Sequence, residues 1–381
     1  MDLYHTMGFC CSIYFLKAVI LPFYSRVFLR LPEYLFVQHR SGSYLYPRYF
    51  SGCVPASCVT RSYRPLFFRF ITSREISTYQ LRFRLTVFPF SSFVSGQAFF
   101  SLPLDEKEKV SVRHNKINRG YTAFEEETLD PTRQTRGDTK EGFYLGREVA
   151  MESEEARSFP LHGPNVWPDP VKLPRWRPVM NAYFTALSSL GLRTVRLLLR
   201  ALGLPEHHLD DTFTRPMAAL RLLHYSTQAS NPSEGVYAAG AHTDYGMFTF
   251  LMTDHTPGLQ VWRGGAGQED GSWQEVPAVE GAFIVNLGDM LQRWTNDVFK
   301  STAHRVVIQE ATEEGRYSAP FFYEPNFDTL VACLPGFVKE GEVPRHVPIK
   351  SGEYLLGKYR QTHRDFVEKA DDNHTLENHA G

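Results

Sequence analysis

Six short apolar runs, at residues 220–225, 247–252, 259–262, 283–286, 304–308 and 318–323, are divided by turns rich in Gly, Pro, Asn and Asp. Strands this short and closely spaced bury their apolar faces only by pairing into packed sheets, which implies a double-sheet, jelly-roll type of β architecture. Ahead of them Val179, Tyr183, Leu187, Leu190, Val195, Leu198, Leu199 and Leu202 recur at helical spacing, and Gly203 with Pro205 ends the pattern. That stripe predicts one long amphipathic helix packed on a sheet, with no chemistry of its own. Residues 104–110 read as a charged helical face, 111–170 as mostly loops that rim a site, and 355–359 as a last helix. The expected class is mainly β with flanking helices.

At 381 residues, with 43% hydrophobic and 22% charged, the chain has ample material for a core and the composition of a soluble globular protein. A net charge of −1 offers no footprint for nucleic acid. The charge is nevertheless unevenly spread. Residues 1–96 hold 11 Lys/Arg against three acids, Asp2, Glu33 and Glu75, so their balance of +8 is offset by −9 over the rest. Cys10, Cys11, Cys53 and Cys58 also fall there, leaving only Cys333 outside, and no CxxC pair or zinc quartet is formed. A reducing compartment, by default the cytoplasm, is expected.

No sustained helical or strand period runs through residues 1–96. Three readings fit this segment: an organelle-type leader, a short membrane anchor over residues 7–24 interrupted by Lys17, or sequence outside the mature fold. The folded domain is accordingly placed at 97–367, with 368–381 as a frayed polar tail.

His-x-Asp is a weak signal, and it occurs three times, as His208-Leu209-Asp210, His242-Thr243-Asp244 and His363-Arg364-Asp365. The middle copy differs in leading straight into the apolar strand Met247-Phe248-Thr249-Phe250-Leu251. In extended chain, residues i and i+2 share a face, so His242 and Asp244 can grip one ion. His304, in Ser301-Thr302-Ala303-His304-Arg305-Val306, supplies a third ligand if its strand brings it across the sandwich. Two imidazoles and a carboxylate suit iron(II) with open positions, although zinc or manganese would also accept them. Twelve residues further on, Arg316-Tyr317-Ser318 is the only Arg-x-Ser in the chain, and its guanidinium and hydroxyl can jointly hold a carboxylate.

With these residues in order, the sequence resembles the isopenicillin N synthase-like branch of the iron(II)- and 2-oxoglutarate-dependent dioxygenases. The resemblance covers roughly residues 97–363 and includes Asn118-Arg119-Gly120-Tyr121, Asp138-Thr139-Lys140-Glu141-Gly142-Phe143, Leu222-Leu223-His224-Tyr225, Val285-Asn286-Leu287-Gly288-Asp289 and Arg316-Tyr317-Ser318-Ala319-Pro320-Phe321-Phe322. It implies a double-stranded β-helix core, iron on His242, Asp244 and His304, and the distal 2-oxoglutarate carboxylate on Arg316 and Ser318. Tyr225 falls where members often place a tyrosine near the proximal end of the co-substrate. The implied reaction is 2-oxoglutarate- and dioxygen-dependent hydroxylation, desaturation or ring closure of a small organic substrate by a monomer. A co-substrate-free oxidase and a non-catalytic relic remain the alternatives.

One departure matters. Family members begin with a strand-forming segment and a Gly-Phe-Phe then Asn-His-Gly-like stretch, and neither is recognisable in residues 1–96. One or more core strands are therefore expected to be missing or replaced, with an exposed sheet edge as the structural consequence. Gly264-Gly265-Ala266-Gly267 lacks the context of a dinucleotide loop and reads as a hairpin connection, while Trp262, Trp273 and Trp294 read as packing.

Overall fold

The computed structural model describes residues 66–71, 76–81, 96–264, 271–279 and 282–362. Their strands are β1 Leu66–Ile71, β2 Ile76–Leu81, β3 Gly120–Thr122, β4 Lys140–Gly146, β5 Ala219–Tyr225, β6 Ala239–His242 and β7 Phe248–Thr253. The series continues with β8 Leu259–Arg263, β9 Ser272–Glu275, β10 Ala282–Leu287, β11 His304–Val306 and β12 Arg316–Tyr323, and closes with the short β13 Leu330–Val331 and β14 Ile349–Lys350. The helices are α1 Leu104–Glu108, α2 Glu154–Ser158, α3 Trp176–Ala201, α4 Asp289–Trp294 and α5 Ser351–Thr362.

An eight-stranded sheet in the order β2-β1-β10-β7-β12-β5-β4-β3 faces a four-stranded sheet, β6-β11-β8-β9. Strand alternation sorts the side chains of the larger sheet between two cores. Phe248, Phe250, Phe283, Val285, Ala319, Phe321 and Tyr323 join Met180, Tyr183, Leu187 and Leu190 of α3 in one cluster. Leu223, Tyr225, Leu251 and Ile284 point the other way, toward Leu259, Val261 and Val306 of the smaller sheet. The helix comes close because Gly191 has no side chain: a Cβ there would lie 2.6 Å from the Tyr323 ring. The predicted stripe on α3 is thus core, and Trp294 is buried with it.

All six predicted strands are present, shifted by a few residues at most. The region read as mostly loops holds a strand that the sequence hid. Every residue of β4 is buried, including Lys140 and Glu141, whose charges break the apolar pattern and are matched by Asp138, by Glu127 and, from 34 residues away, by Lys107. Gly264 lies between the antiparallel pair β8 and β9, as a hairpin connection should. Trp262 and Trp273 stack edge to face across that pair, 5.2 Å between centroids.

Two strands also arise where no strand period was legible. β1 runs parallel to β10, with Phe68 opposite Phe283, and β2 returns antiparallel along β1. In place of the expected exposed sheet edge, the edge of β10 is paired, by residues 66–71. Residues 7–24, the candidate anchor, lie outside the described residues, as do 368–381. Among the described residues no helix is long and apolar enough to cross a membrane.

Candidate active site

His242 ends β6 and His304 begins β11, and the two face each other as direct partners across that antiparallel pair. His304 therefore reaches His242 from the neighbouring strand of the same small sheet, and does not cross the sandwich as expected. Their rings are 4.3 Å apart between centroids. Asp244, two residues beyond His242, completes a group whose ligand atoms all lie within 4.8 Å of one another, close enough to hold one metal ion.

Each imidazole is oriented by its own backbone. His242 Nδ1 lies 2.8 Å from the Gly240 carbonyl and His304 Nδ1 3.1 Å from that of Thr302, so Nδ1–H donates and Nε2 keeps a lone pair for a metal. Burial, reinforced by the neighbouring His304, pushes the His242 pKa down to about 3, which keeps the ring neutral as a ligand must be. Asp244 is 5% exposed, and among the described residues its Oδ2 has no hydrogen-bond partner. A buried carboxylate oxygen without a donor is costly alone and satisfied by a cation. The donor set and the orphaned oxygen together fit iron(II).

The other His-x-Asp copies do not compete. Asp210 is taken by Arg196 in a two-pronged pair of 3.0 and 2.8 Å and by His207 at 2.7 Å, while His363 lies outside the described residues.

Arg316 and Ser318 lie on one face of β12 and line the same cavity as the three metal-ligand candidates. Arg316 is 1% exposed, spends its Nε on the Thr256 carbonyl at 3.2 Å and, among the described residues, leaves Nη1 without a hydrogen-bond partner. Tyr225 sits opposite Arg316 across β5 and β12; its ring lies 4.9 Å below the guanidinium and its hydroxyl 3.1 Å from Ser318 Oγ. This places Tyr225 at the Arg316–Ser318 end of the cavity, which corrects the proximal position inferred for it. A planar cation and two hydroxyls at one spot make a receptor for a carboxylate.

Beyond the metal the cavity is walled by Val149, Leu161, Met217, Phe322 and Leu355, among which Arg119, Lys140, Arg221 and Glu324 are set. Lys140 and Arg221 are neutralised: Glu127 meets Lys140 at 2.8 Å and Arg221 at 2.7 Å, and Asp138 also pairs with Lys140. Although burial opposes it, Asp138 and Glu127 hold the Lys140 ammonium above its ordinary pKa. Glu324 has no such partner. Burial, with Asp244 nearby, pushes its carboxyl up to about 8. Sequence reasoning passed over Glu324, yet a signal existed: it continues the i, i+2 register of Arg316, Ser318, Pro320 and Phe322.

Residues 217–325 match the profile of the 2OG-Fe(II) oxygenase superfamily, and residues 92–170 match that described as non-haem dioxygenase in morphine synthesis N-terminal. The 2-oxoglutarate-Fe(II) type oxidoreductase hxnY of Emericella nidulans is 35% identical over 272 residues, covering 71% of this chain and 76% of its own. Azadirone synthase of Melia azedarach is 33% identical over 285 residues, 73% of this chain and 82% of its own. Among solved structures, a full-length Neurospora crassa protein in complex with alpha-KG and thymine superposes with a TM-score of 0.60 at 29% identity, over 73% of this chain and 84% of that one. A Caulobacter crescentus protein described as of the 2OG-Fe(II) oxygenase family gives the same TM-score at 28% identity, over 71% and 85%.

The chain belongs to the 2OG-Fe(II) oxygenase superfamily. It is an iron(II)- and 2-oxoglutarate-dependent dioxygenase with a double-stranded β-helix core, and it oxidises a small organic substrate.

Proposed function

We propose that His242, Asp244 and His304 hold the iron, that Arg316 and Ser318 hold the distal carboxylate of 2-oxoglutarate, and that Tyr225 steadies both. The observation that carries this reading is two buried atoms without a hydrogen-bond partner among the described residues, Asp244 Oδ2 in the loop after β6 and Arg316 Nη1 on β12, on residues that line one cavity. One calls for a cation and the other for an anion. Iron with its bound 2-oxoglutarate supplies both, and when bound it supplies the oxidising chemistry of the class.

The chain's own residues orient and exclude. The Gly240 and Thr302 carbonyls fix the two rings, so Nε2 of each would be free to meet a metal without a search over rotamers. Tyr225 holds Ser318 Oγ and underlies Arg316, presenting guanidinium and hydroxyl already aligned for a carboxylate. Leu223, Leu251, Leu259 and Val306 line the cavity between these groups and keep water from the reacting centre. The protein is read as acting alone on its substrate, as a monomer without nucleic acid.

Release of labelled carbon dioxide from 2-oxoglutarate labelled at its 1-carboxyl tests the reading. Wild type is expected to release label only with iron, and Asp244→Ala to release none. Iron-dependent release that persisted in Asp244→Ala would overturn the ligand assignment.

A further inference from the structure

The strand that receives the co-substrate also runs to the far end of the cavity. Arg316, Ser318, Pro320 and Phe322 alternate along one face of β12, and Glu324, just past its end, continues the same register; all five line the cavity. Six residues of extended chain separate Ser318 from Glu324, about 20 Å. Glu324 is therefore too far along the strand to serve the carboxylate held at Arg316. It faces what enters from the other side.

Glu324 is 6% exposed, yet among the described residues its carboxyl makes no hydrogen bond and no ion pair. Its stem is pinned by Gly246, where an added Cβ would lie 2.4 Å from Glu324 Cγ, so the side chain packs into space that only glycine leaves free. The four cations on that wall make their contacts with other groups. Lys140 and Arg221 belong to Glu127, Arg147 pairs with Glu155, and Arg119 gives its terminal nitrogens to the carbonyls of Ile117, Asn118 and Leu161. A buried carboxyl held in place with no donor is an acceptor waiting for one.

Resting on the assignment of this cavity as the active site, we propose that Glu324 is the specificity-determining residue for the primary substrate and receives a hydroxyl or N–H donor of an uncharged small molecule. The donor is carried at the end of the substrate remote from the oxidised carbon. The class is uncharged because three cations of this wall are ion-paired and Arg119 is tied to backbone carbonyls, and because Glu324 offers a single acceptor group amid Val149, Leu161, Phe322 and Leu355.

Matched probes test this without knowledge of the natural substrate. Binding of 4-methylphenol and of 2-pyridone is compared with binding of their O-methyl and N-methyl twins, and of benzylamine. Full-length protein is used under anaerobic conditions, with and without iron and 2-oxoglutarate, as wild type, Glu324→Gln and Glu324→Leu. The donor-bearing member of at least one pair is expected to bind wild type about tenfold or more tightly than its twin, a hydrogen bond to a buried acceptor. That preference should vanish in Glu324→Leu and persist, reduced, in Glu324→Gln, which keeps a carbonyl acceptor. Unchanged iron and 2-oxoglutarate binding in Glu324→Leu shows that the variant is folded. No preference within either pair, or a preference that survives in Glu324→Leu, overturns the proposal. Tighter binding of benzylamine than of either donor probe, lost in Glu324→Gln, overturns the uncharged class. A wild type that binds neither iron nor 2-oxoglutarate breaks the metal-site reading instead, and the metal-free arm still reads Glu324.

Discussion

Two sets of buried charges lie along the same cavity and differ in one respect. Lys140 on β4 and Arg221 on β5 meet Glu127 and Asp138 from the segment ahead of β4, as Lys107 and Glu141 meet at 2.7 Å on the other face of the sheet. In the loops that follow β6 and β12 and on β12 itself, Asp244 Oδ2 and Arg316 Nη1 have no hydrogen-bond partner among the described residues, and the Glu324 carboxyl makes no ion pair there. Burying a charge is tolerated when it is paired and costly when it is not. The paired set therefore holds strands together, and the unpaired set marks where ligands complete the structure. Removing a member should cost stability in the first case and binding in the second.

The sharpest break of this contrast is Asp244→Ala. Turnover should fall by at least about a thousandfold with loss of iron, the usual scale for removing an essential group that acts with others as a unit, while the melting temperature of the metal-free protein should hold or rise because an unsatisfied carboxylate is removed. Steady-state assays, iron analysis and calorimetry check it; His208→Ala serves as the control and should leave iron occupancy unchanged. A metal-free protein melting well below wild type would place Asp244 in the structural set.

Glu127→Ala is the converse. It strips the shared partner from Lys140 and Arg221, and breaking a buried pair by removing one side typically costs about 3–5 kcal/mol. Denaturant unfolding should show the loss directly, and retention of full stability would mean that the network is not what ties β4 to β5.

Arg316→Lys should be milder and confined to the co-substrate. A point charge replaces a planar fork, so 2-oxoglutarate is expected to bind about 30-fold more weakly, roughly 2 kcal/mol, with iron affinity near wild type. The effect should appear as a raised Michaelis constant for 2-oxoglutarate, and an unchanged one removes Arg316 from the site.

The smallest effect sharpens the assignment of Glu324. Its folded pKa of about 8 stands above the ordinary 4.5. Between those values the folded state keeps a proton that the unfolded chain gives up, so this group's contribution to stability falls as pH rises through that window and is level above it. Glutamine has no proton to lose. The melting temperature of metal-free Glu324→Gln should therefore gain on wild type from pH 5 to pH 8 and hold its lead at higher pH; a constant difference across the range would mean that the carboxyl finds a partner.

Much of this molecule is legible in its sequence where the deciding interactions are local. Apolar runs bounded by turn residues mark six strands of the two sheets, period 3.6 marks α3, and the i, i+2 pairs His242/Asp244 and Arg316/Ser318 are found from the shared face of extended chain. What the sequence did not show depends on partners distant along the chain. β4 reads as a loop because Lys140 and Glu141 look like surface residues until Glu127, Arg221, Lys107 and His224 are folded against them. β1 carries no readable strand period, and β10 across the sheet gives it a partner. Three metal-ligand candidates and a carboxylate receptor were set by residue type and spacing alone. Which charges are satisfied, and hence that Glu324 is left facing the cavity with nothing to bind, was decided only in three dimensions, because pairing is a property of the neighbours that folding brings together.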